Sequence, residues 1–274
     1  MMRIDIDNVL RLRVPRYHRR IPRFMIRWLE RIIHQDGLNQ LLSHNAGTEG
    51  VDFAAGVTAD LGVNYRIERD SSMAPARRVI FVSNHPLGGL DGLILAQVIR
   101  DLYGGDKKMK FIVNDLLTFV EPLKSIFIGV NKHGEQSRES ALALDEAFAG
   151  DTPVVMFPAG LVSRRMPDGS IADLQWHKMV VNKAIYYHRD IIPLHFSGEN
   201  SSFFYKFAQL RTRLGLKFNI EMIRLPAEIF RQSGHTFTVT VGKPIGWETL
   251  RGGKDAQNQA DSLRELVYRL KKAD

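Results

Sequence analysis

The chain contains no cysteine. That removes disulfides, thiolate nucleophiles and Cys-ligated zinc or iron–sulfur sites from consideration, and it suits a reducing compartment. No apolar run reaches the length of a transmembrane helix, so none is expected. The basic N-terminus lacks the apolar core and small-residue cleavage site of a signal peptide. These absences lead to the expectation of a cytoplasmic protein. Internal repeats, low-complexity tracts and a G-x-S-x-G nucleophile elbow are also missing. His177, His188 and His195 show no ligand spacing, so they read as structural and no metal is expected.

What is present is a chain of 274 residues, 44% of them hydrophobic, long enough for one large α/β domain with a helical extension. The formal net charge is +8, and it is concentrated. Residues 1–34 carry nine arginines (3, 11, 13, 16, 19, 20, 23, 27 and 31) and no lysine, against Asp5, Asp7 and Glu30. Nine minus three is +6, most of the surplus. Arginine suits phosphate recognition, and such an arm seeks a polyanionic surface.

Within it, "RFMIRWLERIIH" places Phe24, Trp28 and Ile32 at four-residue spacing, with Met25, Leu29 and Ile33 one step on. Arg20, Arg23, Arg27 and Arg31 lie along the flank, and Pro22 fits the first turn. The spacing predicts an amphipathic helix that lies on a membrane surface, with Arg20, Arg23, Phe24, Arg27, Trp28 and Arg31 as its lipid contacts. A helix that packs on the domain and merely exposes its arginines is the plainer alternative. Large apolar residues so closely spaced favour lipid over nucleic acid, and no nucleic-acid partner is expected. "GLNQLLSHNAG" predicts a second short helix, and residues 48–76 read as a connection from arm to core that mixes a helix with a short strand, "VNYRIER". Residues 1–77 are therefore taken as arm and connection, and residues 78–274 as the main domain.

From residue 78 apolar runs alternate with helix-like segments: "RVIFVSN", "MKFIVN", "IFIGVN", "PVVMFPA", "DIIPLHFSG" and "TFTVTVGKPI", with helices near 92–103, 136–149 and 174–188. The alternation predicts an α/β fold, a central largely parallel or mixed sheet flanked by helices. "SLRELVYRLKK", with Leu263, Leu266, Val267 and Leu270 at helical spacing, predicts a C-terminal docking helix. Ligands of such sheets sit beyond the carboxyl ends of the strands. The polar residues of interest fall there: Asn84 and His85, Lys132, and the segment Pro158–Arg165.

His85 follows the first of these strands, in "VSNHPLGGLDGL". Gly88 and Gly89 permit a tight turn with uncovered amides, and Asp91 falls at the start of the next helix. A carboxylate there can fix one imidazole nitrogen and leave the other as a base. With no protein nucleophile in view, that base would activate a substrate hydroxyl or amine, and the amides of the glycine turn would face a developing oxyanion. A helix-capping aspartate beside an incidental histidine is the alternative.

"NHPLGGLD" resembles the first motif of the glycerolipid acyltransferases, the family that includes lysophosphatidic acid acyltransferase, whose signature is H-xxxx-D. Here one further residue lies between His85 and Asp91, as in the hemolysin-like and amino-acid-lipid branch. "FPAGLVSRR" resembles the third motif: Phe157, Pro158, Gly160 and Ser163 match, Ala159 replaces its glutamate, Val162 its arginine, and Arg164 stands where the branch has arginine after the serine. "IIPLHFSGENSSFFY" around Pro193 resembles the fourth, and "DLQW" (Asp173–Trp176) and "LPAEIF" (Leu225–Phe230) also resemble the branch. The second motif is poorly matched, Lys132 being the nearest cation. The resemblance covers about residues 78–245.

It implies transfer of a fatty acyl group from an acyl carrier protein or coenzyme A thioester to a lysolipid hydroxyl, at the inner face of the cell membrane. His85 would act as base and Asp91 would orient it, with no acyl-enzyme, cofactor or metal. Arg164 and Arg165 would hold an anionic headgroup or the phosphopantetheine phosphate, with Lys132 as a further cation; Asn84, Gly88, Gly89, Gly160 and Ser163 complete the substrate-binding set. The changes at Ala159 and Val162 weaken a lysophosphatidate assignment and leave room for an acceptor with a carboxylate headgroup, so a lysophospholipid and an amino-acid-containing lysolipid both stand as acceptors. A thioesterase or lipid hydrolase using the same pair, and a lipid-binding protein without chemistry, are the alternatives.

Overall fold

Each apolar run named above contains a strand, because β-branched and aromatic side chains fit a pleated, buried surface. The computed structural model describes residues 3–13, 15–18, 20–69, 78–106, 108–130, 138–216 and 219–271. In chain order the elements are α1 (Ile6–Arg13), α2 (Pro15–His18), α3 (Arg23–Ile32), α4 (Gln35–His44), α5 (Gly50–Asp60), β1 (Asn64–Glu68), β2 (Val79–Ser83), α6 (Leu90–Leu102), β3 (Lys110–Asn114), β4 (Phe127–Val130), α7 (Arg138–Ala149), β5 (Val154–Met156), β6 (Arg164–Arg165), β7 (Ile171–Ala172), α8 (Met179–Tyr186), β8 (Asp190–Phe196), α9 (Ser202–Arg213), α10 (Leu225–Arg231), β9 (Thr236–Val241) and α11 (Ala256–Arg269).

Among the described residues, seven strands form the main sheet in the order β1-β9-β8-β2-β5-β3-β4. Neighbours pair in parallel except β8 with β9, which run antiparallel. The expected largely parallel or mixed α/β sheet is what forms. β2 lies inside it and divides its side chains by the two-residue strand period. Val79 and Phe81 enter the core under α5 and α6. Ile80 and Val82 enter the opposite core, under α7, α8 and α11. Burying each such side chain contributes roughly 1.5–3 kcal/mol, so β2 is held from both faces and the loop that follows it starts from a rigid base.

Three expectations change. β1 is not part of a loose connection: it pairs along β9 from Asn64 to Glu68, and α5 places Phe53, Ala54 and Val57 in the main core. A division at residue 77 therefore cuts the sheet, since an edge strand is stabilised only with its neighbour. The helix expected over 174–188 begins at Met179; before it, the His177 amide donates to the Pro158 carbonyl at 3.0 Å and keeps the chain extended. Helices α9 and α10 lie where sequence pattern alone suggested none. Ser201 caps α9 by accepting from the Phe204 amide. The C-terminal segment docks as expected, with Leu263 and Val267 of α11 buried.

Candidate active site

The loop after β2 is fastened on three sides. Asn84 exchanges two hydrogen bonds with the main chain of Phe196 in β8: Nδ2 donates to its carbonyl at 2.9 Å and Oδ1 accepts from its amide at 2.7 Å. Asn200 Nδ2 donates to the Pro86 carbonyl at 2.9 Å. Gly88 has φ +90°, and a Cβ there would lie 2.8 Å from Leu225 Cδ1 of α10. Glycine is thus required both by conformation and by close approach.

Asp91 is buried and turns back into this loop. Its Oδ2 lies 3.0 Å from His85 Nδ1 and accepts the amides of Leu87 (2.9 Å) and Gly88 (3.2 Å); Oδ1 accepts from the Gly92 amide at 2.8 Å. With Oδ2 also accepting two amides, the contact suits the Nδ1–H tautomer of His85, whose second ring nitrogen, Nε2, lies across the ring. The His85 ring stacks on Phe157 at 4.0 Å between centroids, and 15% of its side chain reaches the surface. This carboxylate serves the loop and the imidazole together. One part of the oxyanion idea is corrected. The Leu87 and Gly88 amides are spent on Asp91 and do not face a substrate.

Asp173 is the residue the sequence reading passed over. It is buried, and its Oδ1 accepts from the His85 amide at 3.1 Å and from Ser163 Oγ at 2.6 Å. Its Oδ2 accepts from Trp176 Nε1 at 2.9 Å. The Ser163 amide closes the bracket by donating to the His85 carbonyl at 2.8 Å. Burial pushes the Asp173 carboxyl above its usual range, opposed by those donors. The signal in sequence was "DLQW", an acid three residues before a tryptophan whose indole N–H needs a buried acceptor.

The proposed substrate contacts separate. Asn84 and Ser163 are buried and committed to the protein, so neither is available to a ligand. Arg164 is likewise corrected. Its Nη2 pairs with the buried Glu221 Oε1 at 2.8 Å, Nη1 donates to the Val162 carbonyl, and the guanidinium lies over Phe204. Burial pulls its pKa down, with Glu221 opposing; this guanidinium is buried and committed to Glu221 and the Val162 carbonyl, so it is not turned toward a headgroup. Arg165 differs: it is half-buried, its guanidinium lies 5.9 Å over Tyr205, and its buried Nε meets no acceptor among the described residues. Gly160 turns the chain at φ +61° after Phe157. Ala159 and Val162 are buried in apolar packing. Lys132 lies outside the described residues.

Arg20, ahead of α3, and Arg23, Arg27 and Arg31 on it are exposed, as are Phe24 (72%) and Trp28 (57%). The inward residue is Ile26, which belongs to neither expected stripe. Among the described residues, no helix is long and apolar enough to cross a membrane. A groove of about 810 Å³ opens between the β6–β7 hairpin and α11, lined by Met166, Ile171, Arg264 and Tyr268 among others. It includes neither His85 nor Asp91, and no chemistry is assigned to it.

Comparison with known proteins places this geometry in context. A family model described as "Acyltransferase" matches residues 8–274. The chain is 40% identical over 267 residues to a lyso-glycine lipid O-acyltransferase from Phocaeicola vulgatus, covering 97% of this chain and 95% of the relative. It is 39% identical over 267 residues to a protein of the same description from Bacteroides thetaiotaomicron, covering 97% of each. Among solved structures, the 1-acyl-sn-glycerophosphate acyltransferase PlsC from Thermotoga maritima aligns with a TM-score of 0.44 and 14% identity, over 92% of this chain and 95% of that one.

Proposed function

The chain belongs to the acyltransferase family, and from that premise we propose that it moves a fatty acyl group from a carrier-protein or coenzyme A thioester to the hydroxyl of an amino-acid lysolipid. The observation that carries the reading is the His85–Asp91 contact at 3.0 Å, braced by Asp173 on the main chain of His85. Nε2 of His85 takes the proton of the acceptor hydroxyl as its oxygen attacks the thioester carbonyl carbon. The C–O bond forms, the C–S bond breaks, and the imidazolium returns the proton to the leaving sulfur. Asp91 stays ionised throughout and steadies the imidazolium.

The relatives described as lyso-glycine lipid O-acyltransferases support an acceptor that ends in a carboxylate. Such an acceptor is an N-acylated amino acid with a hydroxyl on its fatty chain. We assign the carboxylate to Arg165, whose buried Nε meets no acceptor among the described residues. The buried Ala159 and Val162 support the same choice, since neither offers a polar group to glycerol phosphate. The exposed aromatic and arginine residues of α3 support peripheral attachment to the inner membrane surface, where each arginine contributes about 1 kcal/mol against anionic lipid.

The test is an acyl-transfer assay read by mass spectrometry, offering lyso-glycine lipid and lysophosphatidate in parallel with carrier-protein and coenzyme A thioesters. Turnover of the glycine lipid is expected, with KM raised about tenfold or more in Arg165→Ala through loss of a charge-assisted contact. Turnover of lysophosphatidate alone refutes the acceptor assignment. Release of free fatty acid with no acylated lipid points to a hydrolase.

A further inference from the structure

Helix α9 has two apolar sides. A helix lying on a domain buries one stripe and turns a polar face to water. In α9 the inner stripe is Phe204, Tyr205 and Ala208, packed around Val162. The outer side carries Phe203 and Leu210, followed by Leu214, at positions i, i+7 and i+11. Leu210 is 52% exposed, and Phe203 and Leu214 are more open still. Phe203 and Phe207 stack at 6.1 Å between centroids. The exposed apolar surface continues through Leu216, Ile220 and Ile223.

Charge follows the same outline. Residues 202–224 hold Lys206, Arg211, Arg213, Lys217 and Arg224 against a single acid, Glu221. Glu221 is buried and paired inward with Arg164 and Arg211, so it does not soften the outer face. Lys206 and Arg213 are exposed beside the apolar stripe, and the Arg224 guanidinium lies 4.5 Å over the Phe203 ring. A second copy of the chain would bring the same positive border against this one, which disfavours self-association. Exposed aromatic and aliphatic side chains bordered by cations fit an anionic bilayer surface.

Position gives the face a use. The turn at Ile220–Arg224 runs directly into α10. Leu225 and Ile229 of α10 lie against Gly88 and Gly89 of the catalytic loop. Phe230 of the same helix stacks with His34, just beyond α3, at 5.1 Å. Helix α10 thus links the catalytic loop to α3 on one side and to the α9 face on the other.

We infer that the outer face of α9 and the following turn is a second membrane-docking surface, so that the enzyme rests on anionic lipid at two places joined by α10. The inference rests on the proposed lipid acceptor but extends beyond it, and it is read by binding instead of turnover. The absence of native cysteine allows single-cysteine variants to carry an environment-sensitive fluorophore. Leu210→Cys and Phe24→Cys report the two surfaces, and Leu142→Cys, 54% exposed on α7, is the control.

With vesicles of phosphatidylglycerol and phosphatidylcholine, emission at positions 210 and 24 is expected to shift to the blue while position 142 stays unchanged. The triple variant Phe203→Ser, Leu210→Ser, Leu214→Ser is expected to lower vesicle affinity at least tenfold. A response at 24 without one at 210 overturns this inference and leaves the α3 proposal standing. A response at 210 alone overturns docking at two places and removes the α3 proposal, leaving the α9 face as the membrane surface. Silence at both removes both. A shift at 210 that follows protein concentration without lipid makes the face a self-association surface and overturns the inference.

Discussion

At the end of the sheet where β2 and β8 begin, a buried cation gathers carbonyl groups; at the end where β2 stops, buried anions gather amides. Arg189 is wholly buried, and its guanidinium donates to the carbonyls of Val79, Ala147, Phe148, Gly150 and Thr152. Burial pulls its pKa down to about 10. Asp91 and Asp173 are as deeply buried and accept from the main chain of the catalytic loop. The physical device is the same, a charge taken from water and surrounded by complementary dipoles. The difference lies in what remains. At the Arg189 end the group is consumed by the scaffold. At the other end Asp91 holds the His85 imidazole by Nδ1 and Asp173 holds its main-chain amide, which under the proposed mechanism leaves Nε2 for chemistry. Burial of charge marks both places, and only the uncommitted nitrogen marks the active one.

Four substitutions sharpen or break that comparison. His85→Ala carries the largest expected effect, a fall in kcat of about 10²–10⁴-fold from loss of the general base. Its urea midpoint should match the parent, and a loss of stability as great as at Arg189 would erase the distinction between the two ends. Arg189→Met should do the reverse. It should cost about 3 kcal/mol in urea unfolding, since several buried carbonyls lose their donor, while kcat per folded molecule is unchanged.

Asp173→Asn lies between them. Roughly 1–3 kcal/mol of stability should be lost, because the side chain then presents a donor to at least one of the groups that donate to it. kcat should fall about tenfold with little change in KM, because Asp173 positions His85 and does not hold substrate. An effect on stability alone would make Asp173 a second Arg189.

The smallest effect concerns a histidine that burial has made inert. His195 is buried, and burial, with Lys271 adding to it, pulls its pKa from 6.5 to about 4. The unfolded chain therefore binds this proton more readily, and stability present above pH 6.5 is lost as pH falls toward 4. His195→Gln should flatten that stretch of the stability profile in urea titrations at stepped pH, and leave kcat at pH 7.5 unchanged.

The sequence was most readable where structure is periodic. The strands, the amphipathic α3, the docking of α11 and the His85–Asp91 pair all follow from spacing, since side-chain direction repeats every two residues in a strand and about every 3.6 in a helix. It was least readable at α9 and α10. In α9 the inner and outer stripes are both apolar, so no single hydrophobic face stood out, and α10 has only seven residues, one of its two buried side chains being Glu228.

What the amino-acid sequence determined by itself was therefore the α/β alternation, the placing of His85 within reach of Asp91, and the helix rich in arginine and aromatic residues ahead of them. What the tertiary structure decided was which neighbours these residues have. Asp173 reaches the amide of His85 across 88 positions of sequence, and Glu221 reaches Arg164 across 57. That second contact separates two adjacent arginines into a structural one and one still open to ligand. No local pattern encodes such partners, because a buried charge takes whichever complement the packed chain brings to it.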